Sequence, residues 1–205
     1  MSAADYSFSA DWFSHVAPIW EKALKVLLPA PKKIVEVGSY EGRSTIWMIE
    51  NAFPRGEPGL LYCIDTWAGG AEHDPAAMPQ VEERFDSNIA RARTQCPSVA
   101  VHKIKNASDA ALLKMVSDGH QGSVDLMYID GCHQASDVLT DLVLGFMLCR
   151  LNGIIVCDDY LWKLNRNPLL NPKLAIDAFT NCFFGKIEPV NGIPLYQLWL
   201  RKTAP

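Results

Sequence analysis

No apolar run in these 205 residues is long enough to cross a bilayer. The stretch 1–11 has neither the basic start nor the apolar core of a secretory signal, so the expected location is the cytoplasm. There is no run of Lys or Arg, and the net charge is -4. Phosphate binding needs a basic face, so nucleic acid is a poor candidate partner, and neither nucleic acid nor membrane is expected as a partner. The six cysteines are scattered without a C-x-x-C pair. A zinc ribbon or disulfide framework is therefore set aside for buried free thiols in a reducing compartment. Internal repeats and low-complexity segments are lacking as well. So is the dinucleotide fingerprint G-x-G-x-x-G, which makes a NAD-dependent dehydrogenase a distant reading.

What is present suits one buried core: 49% of residues are hydrophobic and 20% charged. Apolar residues at helical spacing predict a helix over 11–28, capped by Ser9 or Asp11, with Trp12 and Trp20 as core or cleft residues. Strands and helices then alternate. Strands are expected over 33–38, 60–65, 99–104, 124–130 and 152–159. Helices are expected over 42–53, 81–96, 110–117 and 134–150. That alternation specifies a parallel sheet with helices on both faces. After 159 come a loop (160–172), a helix (173–181) and two strands (182–188 and 195–202) around the turn signal Asn191-Gly192. The expected fold is α/β, a Rossmann-like doubly wound seven-stranded sheet, mostly parallel with an antiparallel C-terminal hairpin. It forms a single domain, with an N-terminal helical segment (1–31), a core (32–160) and a lid loop, helix and hairpin (161–205).

The centre of the chain is Ile34-Val35-Glu36-Val37-Gly38-Ser39-Tyr40-Glu41-Gly42-Arg43-Ser44. It reads as a buried strand, a turn with two glycines and a helix start. Gly38 and Gly42 let the backbone bend sharply and approach a ligand, and the helix end offers N–H groups at the carboxyl edge of the sheet. That edge is where open α/β sheets bind nucleotides. Four expected strands carry acids at or near the same edge: Glu36, Asp65, Asp130 and the pair Asp158-Asp159. Asp65 reads as an acceptor for two ribose hydroxyls or as a strand-end cap. Trp67 can stack near a base, and Ser108 is either an N-cap or a contact to a base edge. Glu72, His73 and Asp74 face substrate or solvent. Asp130, Asp158 and Asp159 form a hard oxygen set suited to Mg²⁺ or another divalent cation, with strand-end capping as the alternative. His133 follows a proposed metal acid, and histidine's unperturbed pKa is near neutral, which makes it the first candidate for a general base. Asp130 is the second.

Together these residues resemble a family. The 34–44 stretch resembles motif I of class I S-adenosylmethionine-dependent methyltransferases, and its Gly-x-Tyr-x-Gly-x-Ser form is similar to the catechol and caffeoyl-CoA O-methyltransferases. Tyr128-Ile129-Asp130-Gly131-Cys132-His133 and Gly153-Ile154-Ile155-Val156-Cys157-Asp158-Asp159-Tyr160 are similar to bacterial sugar O-methyltransferases of the macrocin and aminocoumarin type. The resemblance implies an O-methyltransferase using S-adenosyl-L-methionine and Mg²⁺ on a small hydroxylated molecule, a glycoside among the candidates. It implies that Glu36, Gly38, Tyr40, Gly42, Ser44, Asp65, Trp67, Ser108 and Asp130 form the cofactor site, with Tyr40 and Ser44 at the methionine carboxylate. Asp130, Asp158 and Asp159 would hold the metal. It admits a homodimer. Two departures stand out: catechol-type enzymes often carry Asp-Asn at 158–159, and their catalytic lysine has no counterpart after Asp130. Metal-independent transfer on the same fold and a non-catalytic nucleoside-binding subunit are the rival readings.

Overall fold

The sheet is built outward from β1 (Lys33–Val37) in a computed structural model that describes residues 6–70, 73–163 and 166–205. On one side of β1 lie β2 (Gly59–Asp65) and then β3 (Val99–Lys105). On the other lie β4 (Val124–Ile129), β5 (Cys149–Cys157), β7 (Leu198–Lys202) and β6 (Ile187–Pro189). The order is β3-β2-β1-β4-β5-β7-β6. β7 pairs antiparallel with both β5 and β6. The seven-stranded, mostly parallel sheet with an antiparallel C-terminal pair is thus the fold the sequence predicts.

Period-two alternation explains why the central strands are almost wholly apolar. Ile34, Leu126 and Ile154 point into one layer, and Val35, Met127 and Ile155 into the other. The first layer holds helices α1 (Ala17–Leu27), α2 (Arg43–Asn51) and α3 (Met78–Gln95), through residues such as Trp20, Ile46 and Phe85. The second holds α4 (Ser108–Ser117), α5 (Ala135–Leu148) and α6 (Pro172–Cys182), through Leu112, Leu142 and Phe179. No helix among the described residues is long and apolar enough to cross a membrane.

Several boundaries differ from expectation. α1 begins at Ala17 rather than Asp11, because Asp11 Oδ1 accepts the N–H groups of Phe13 and Ser14 and turns that stretch on itself. Phe13 and Val16 are buried all the same, so apolar spacing there reports packing and not helix. Residues 182–186 close α6 and turn before β6, where a strand is expected from 182. β5 starts at Cys149, pairing with Val124 through a register shift.

Register positions the site. Val37 pairs with Ile64 and with Ile129, and Ile129 pairs with Cys157. The next residues of these four strands, Gly38, Asp65, Asp130 and Asp158, therefore stand in one row at the carboxyl edge. Hydrogen bonds of 2.9 Å from Gly38 N to Ile64 O, Asp130 N to Val37 O and Asp158 N to Ile129 O extend the ladder up to that row.

Candidate active site

The turn after β1 is held by close contact and by hydrogen bonds from below. Gly38 has φ +85°, and a Cβ there would lie 1.9 Å from the carbonyl oxygen of Asp130. Only glycine fits. Beneath the turn, fully buried Glu36 accepts hydroxyl bonds from Ser39 (2.7 Å), Ser44 (2.5 Å) and Thr45. Burial pushes its carboxyl up, and the three hydroxyls pull the other way. Glu36 and Ser44 brace the turn from inside, and both are buried. Gly42, at φ +83°, is the N-cap of α2, whose first-turn N–H groups have no carbonyl partner within the helix.

Asp65 ties this turn to the next one. Its Oδ2 accepts from Ser39 N (3.0 Å) and Tyr40 N (2.9 Å), and its Oδ1 from Trp67 N (2.7 Å). A carboxylate oxygen with one bond keeps acceptor capacity for a ligand hydroxyl. Trp67 is 3% exposed. Its ring packs on Phe85 at 4.8 Å, under Lys103, and its Nε1 donates to Tyr40 O. The structure thus places Trp67 in the core, where the sequence suggests a ring near the base. Ser108 is the half-buried first residue of α4 and makes no capping bond, Ala107 being the cap. Tyr40, at φ +47°, stacks on His73 and meets Trp12, with centroids 5.2 and 4.9 Å away. Glu72 lies outside the described residues, and Asp74 caps the short turn at Ala76. Glu41, buried at the same turn, pairs with Arg84 and accepts from Ser9 N and Oγ. The segment before α1 is thereby strapped across the turn.

The acids of β4 and β5 form the other half of the rim. Tyr128 faces them from β4, its hydroxyl lying 2.9 Å from Asp130 Oδ2 and hydrogen-bonded to Asp158 Oδ2. Gln197 Nε2 donates to the same Asp158 oxygen at 2.8 Å, and Asp159 N donates to Asp158 Oδ1. Burial raises the carboxyls of both Asp130 and Asp158, and the neighbouring acids raise them further. The Tyr128 hydroxyl is raised by burial and then by those same acids. Asp159 sits at φ +55°, which turns its side chain to His133. There Nε2 to Oδ2 is 2.9 Å. The His133 ring lies 4.1 Å from that of Trp162. Asp130, Cys132, His133, Asp158 and Asp159 line one cavity of about 10 Å³, room for a single water-sized species. Among the described residues no three His, Cys, Asp or Glu side chains are gathered closely enough to hold a metal ion.

Sequence reading missed Tyr128 and Gln197 on this rim. Tyr128 had a signal, being an aromatic hydroxyl two residues before Asp130 and so on the same strand face. Gln197 had none, because its place depends on β7 inserting beside β5.

A family profile described as a methyltransferase domain matches residues 35–160, from β1 to just past the paired acids. The chain belongs to that methyltransferase family. The fold of this methyltransferase recurs in solved structures. An O-methyltransferase from Bacillus cereus in complex with SAH is 16% identical, with TM-score 0.64, covering 97% of this chain and 84% of that one. SAH-bound PaMTH1 from Podospora anserina is 21% identical, with TM-score 0.58, over 90% and 76%. CalS11, a calicheamicin methyltransferase, is 13% identical, with TM-score 0.62, over 93% and 80%. An uncharacterized protein of Acanthamoeba polyphaga mimivirus is 26% identical over 144 residues, 69% of this chain. The chain spans 58% of the length of that curated relative.

Proposed function

We propose that this methyltransferase moves a methyl group from S-adenosylmethionine to a hydroxyl of a small molecule, a glycoside among the candidates. The observation that carries the reading is the common row of Gly38, Asp65, Asp130 and Asp158 at one sheet edge. It sets a nucleoside-type turn and an acid–imidazole rim side by side. When bound, the cofactor supplies a methyl group already activated by its sulfonium. What remains for the chain is alignment and proton removal. The Gly38–Gly42 turn and Asp65 hold and orient the donor. His133, oriented through Nε2 by Asp159, takes the acceptor's proton, and the Asp159 charge stabilises the imidazolium that results. With SAH-binding calorimetry alongside, His133→Ala is expected to lower kcat by roughly 10² to 10⁴ and to leave SAH affinity within about twofold. An unchanged kcat would remove His133 from the reaction.

A divalent cation belongs to the same proposal. Asp130, Asp158 and Asp159 would hold it, and it would lower the pKa of the acceptor hydroxyl. The three carboxylates fit a hard cation in kind, and they would have to draw closer together to hold one. Relief of the repulsion between buried Asp130 and Asp158 favours one. Tyr128, Gln197 and His133 already engage the same oxygens, which favours metal-independent transfer. Screening sugar, phenol and polyketide hydroxyls with Mg²⁺ added or chelated decides between them. The expected result is a loss of turnover of about 100-fold or more in EDTA, restored by Mg²⁺. Undiminished turnover in EDTA would discard the cation and leave the His133 chemistry standing.

A further inference from the structure

The paired acids are held by a buried chain of donors that begins in α1, outside the residues matched by the family profile. Trp20 is fully buried, with its ring edge-on to Tyr128 and Trp199, both centroids at 4.9 Å. Its Nε1 donates to Gln197 Oε1 at 2.8 Å, and Trp199 Nε1 approaches the same oxygen at 3.3 Å. An indole N–H is only a donor. Two of them facing one end of the amide fix that end as the carbonyl and turn the NH₂ towards Asp158. Asp158 then receives the Gln197 amide and the Tyr128 hydroxyl on Oδ2 and the Asp159 N–H on Oδ1. Gln197 itself is 4% exposed.

We infer that Gln197 is a positioning residue for the acid rim. Its amide is locked by Trp20 and Trp199 and in turn locks the Asp158 carboxylate beside Tyr128 and Asp130. This rests on the proposed methyl transfer for its catalytic consequence and on the hydrogen bonds alone for its structural one. It gives the N-terminal helix a role at the site: Trp20 sets the direction of an amide that sets the direction of a carboxylate. Tyr128 has one hydroxyl hydrogen for two acids. Asp158 must be held in place by another donor for Tyr128 to sit between them.

The test uses the full chain and three variants: Gln197→Leu removes the donor, Gln197→Glu replaces it with an acceptor, and Trp20→Phe keeps an aromatic ring at that place and removes the Nε1 donor. Crystal structures of wild type and Gln197→Leu are read first, since they need no acceptor. The Asp158 carboxylate is expected to rotate away from Tyr128 in the variant, and an unmoved carboxylate would overturn the inference. Kinetics with the best acceptor from the screen, beside SAH calorimetry, read the consequence. Gln197→Leu and Gln197→Glu are expected to lower kcat by about 10- to 100-fold with SAH affinity within about twofold. Trp20→Phe is expected to lower kcat by less, since Trp199 still holds the amide. Folded Gln197 variants with wild-type kcat would overturn the catalytic role. Failure of wild type to bind SAH would strike at the methyl-transfer reading itself, and the structural comparison would still decide the fate of Gln197.

Discussion

Gly38→Ala is expected to be the most damaging single-methyl change in this protein, with a loss of about 4 kcal/mol or more. Two costs add. Alanine at φ +85° carries left-handed strain of about 1–2 kcal/mol. Its Cβ would stand 1.9 Å from the Asp130 carbonyl oxygen and 2.9 Å from Gly131 Cα, so the ends of β1 and β4 must part. That contact is backbone and cannot be relieved by a rotamer change. Gly119→Ala is the control, since Gly119 has the same φ of +85° with nothing within 4 Å of the added atom. Thermal melts are expected to show a loss of about 1–2 kcal/mol for Gly119→Ala and either a far larger loss or no folded protein for Gly38→Ala. Equal losses would show that the β1 turn is not packed as described.

Asp141 is expected to make the fold less stable as pH rises. It lies on α5, 1% exposed, and its interaction with the Ser108 hydroxyl does not offset that burial. Burial pushes its carboxyl up to about 7, against the ordinary 3.8. A raised folded-state value means that between about pH 4 and pH 7 the folded chain keeps a proton the unfolded chain has released. Stability from this group is full below that window and is lost as pH climbs through it. The loss approaches roughly 4 kcal/mol once the group is fully ionised. Asp141→Asn is expected to flatten the fall in melting temperature between pH 5 and pH 8. At pH 8 it is expected to melt above wild type, although the buried amide will cost part of the gain. A pH profile parallel to wild type would show that Asp141 does not titrate in this range.

The architecture was legible because hydrophobic pattern and strand-end chemistry agree. Ile34, Val35 and Val37 could only be a buried strand, and the acids at Asp65, Asp130 and Asp158 fell at strand ends that the register then aligned. The failures have a common cause: periodicity reports burial and not its geometry. Phe13 and Val16 are buried before α1 begins. Trp67 is apolar and follows an acid, but nothing in that order says that its ring turns inward onto Phe85. Glu36 reads as a rim acid because it lies two residues before the turn. Strand alternation instead buries it under three hydroxyls supplied by the turn and α2. Gln197 and Trp20 are 177 residues apart, and no local pattern joins them.

The most direct measurement of the proposed function is a calorimetric titration of SAH into the wild-type chain and into Asp65→Ala. The Asp65 side chain binds both the β1 turn and the β2 turn and is also the ribose acceptor of the proposal. The expected result is saturable heat for the wild type and binding weakened by at least about tenfold in the variant, consistent with losing a charged acceptor. No binding heat with the wild type, or equal binding by the two proteins, would contradict a methyl donor site at this edge.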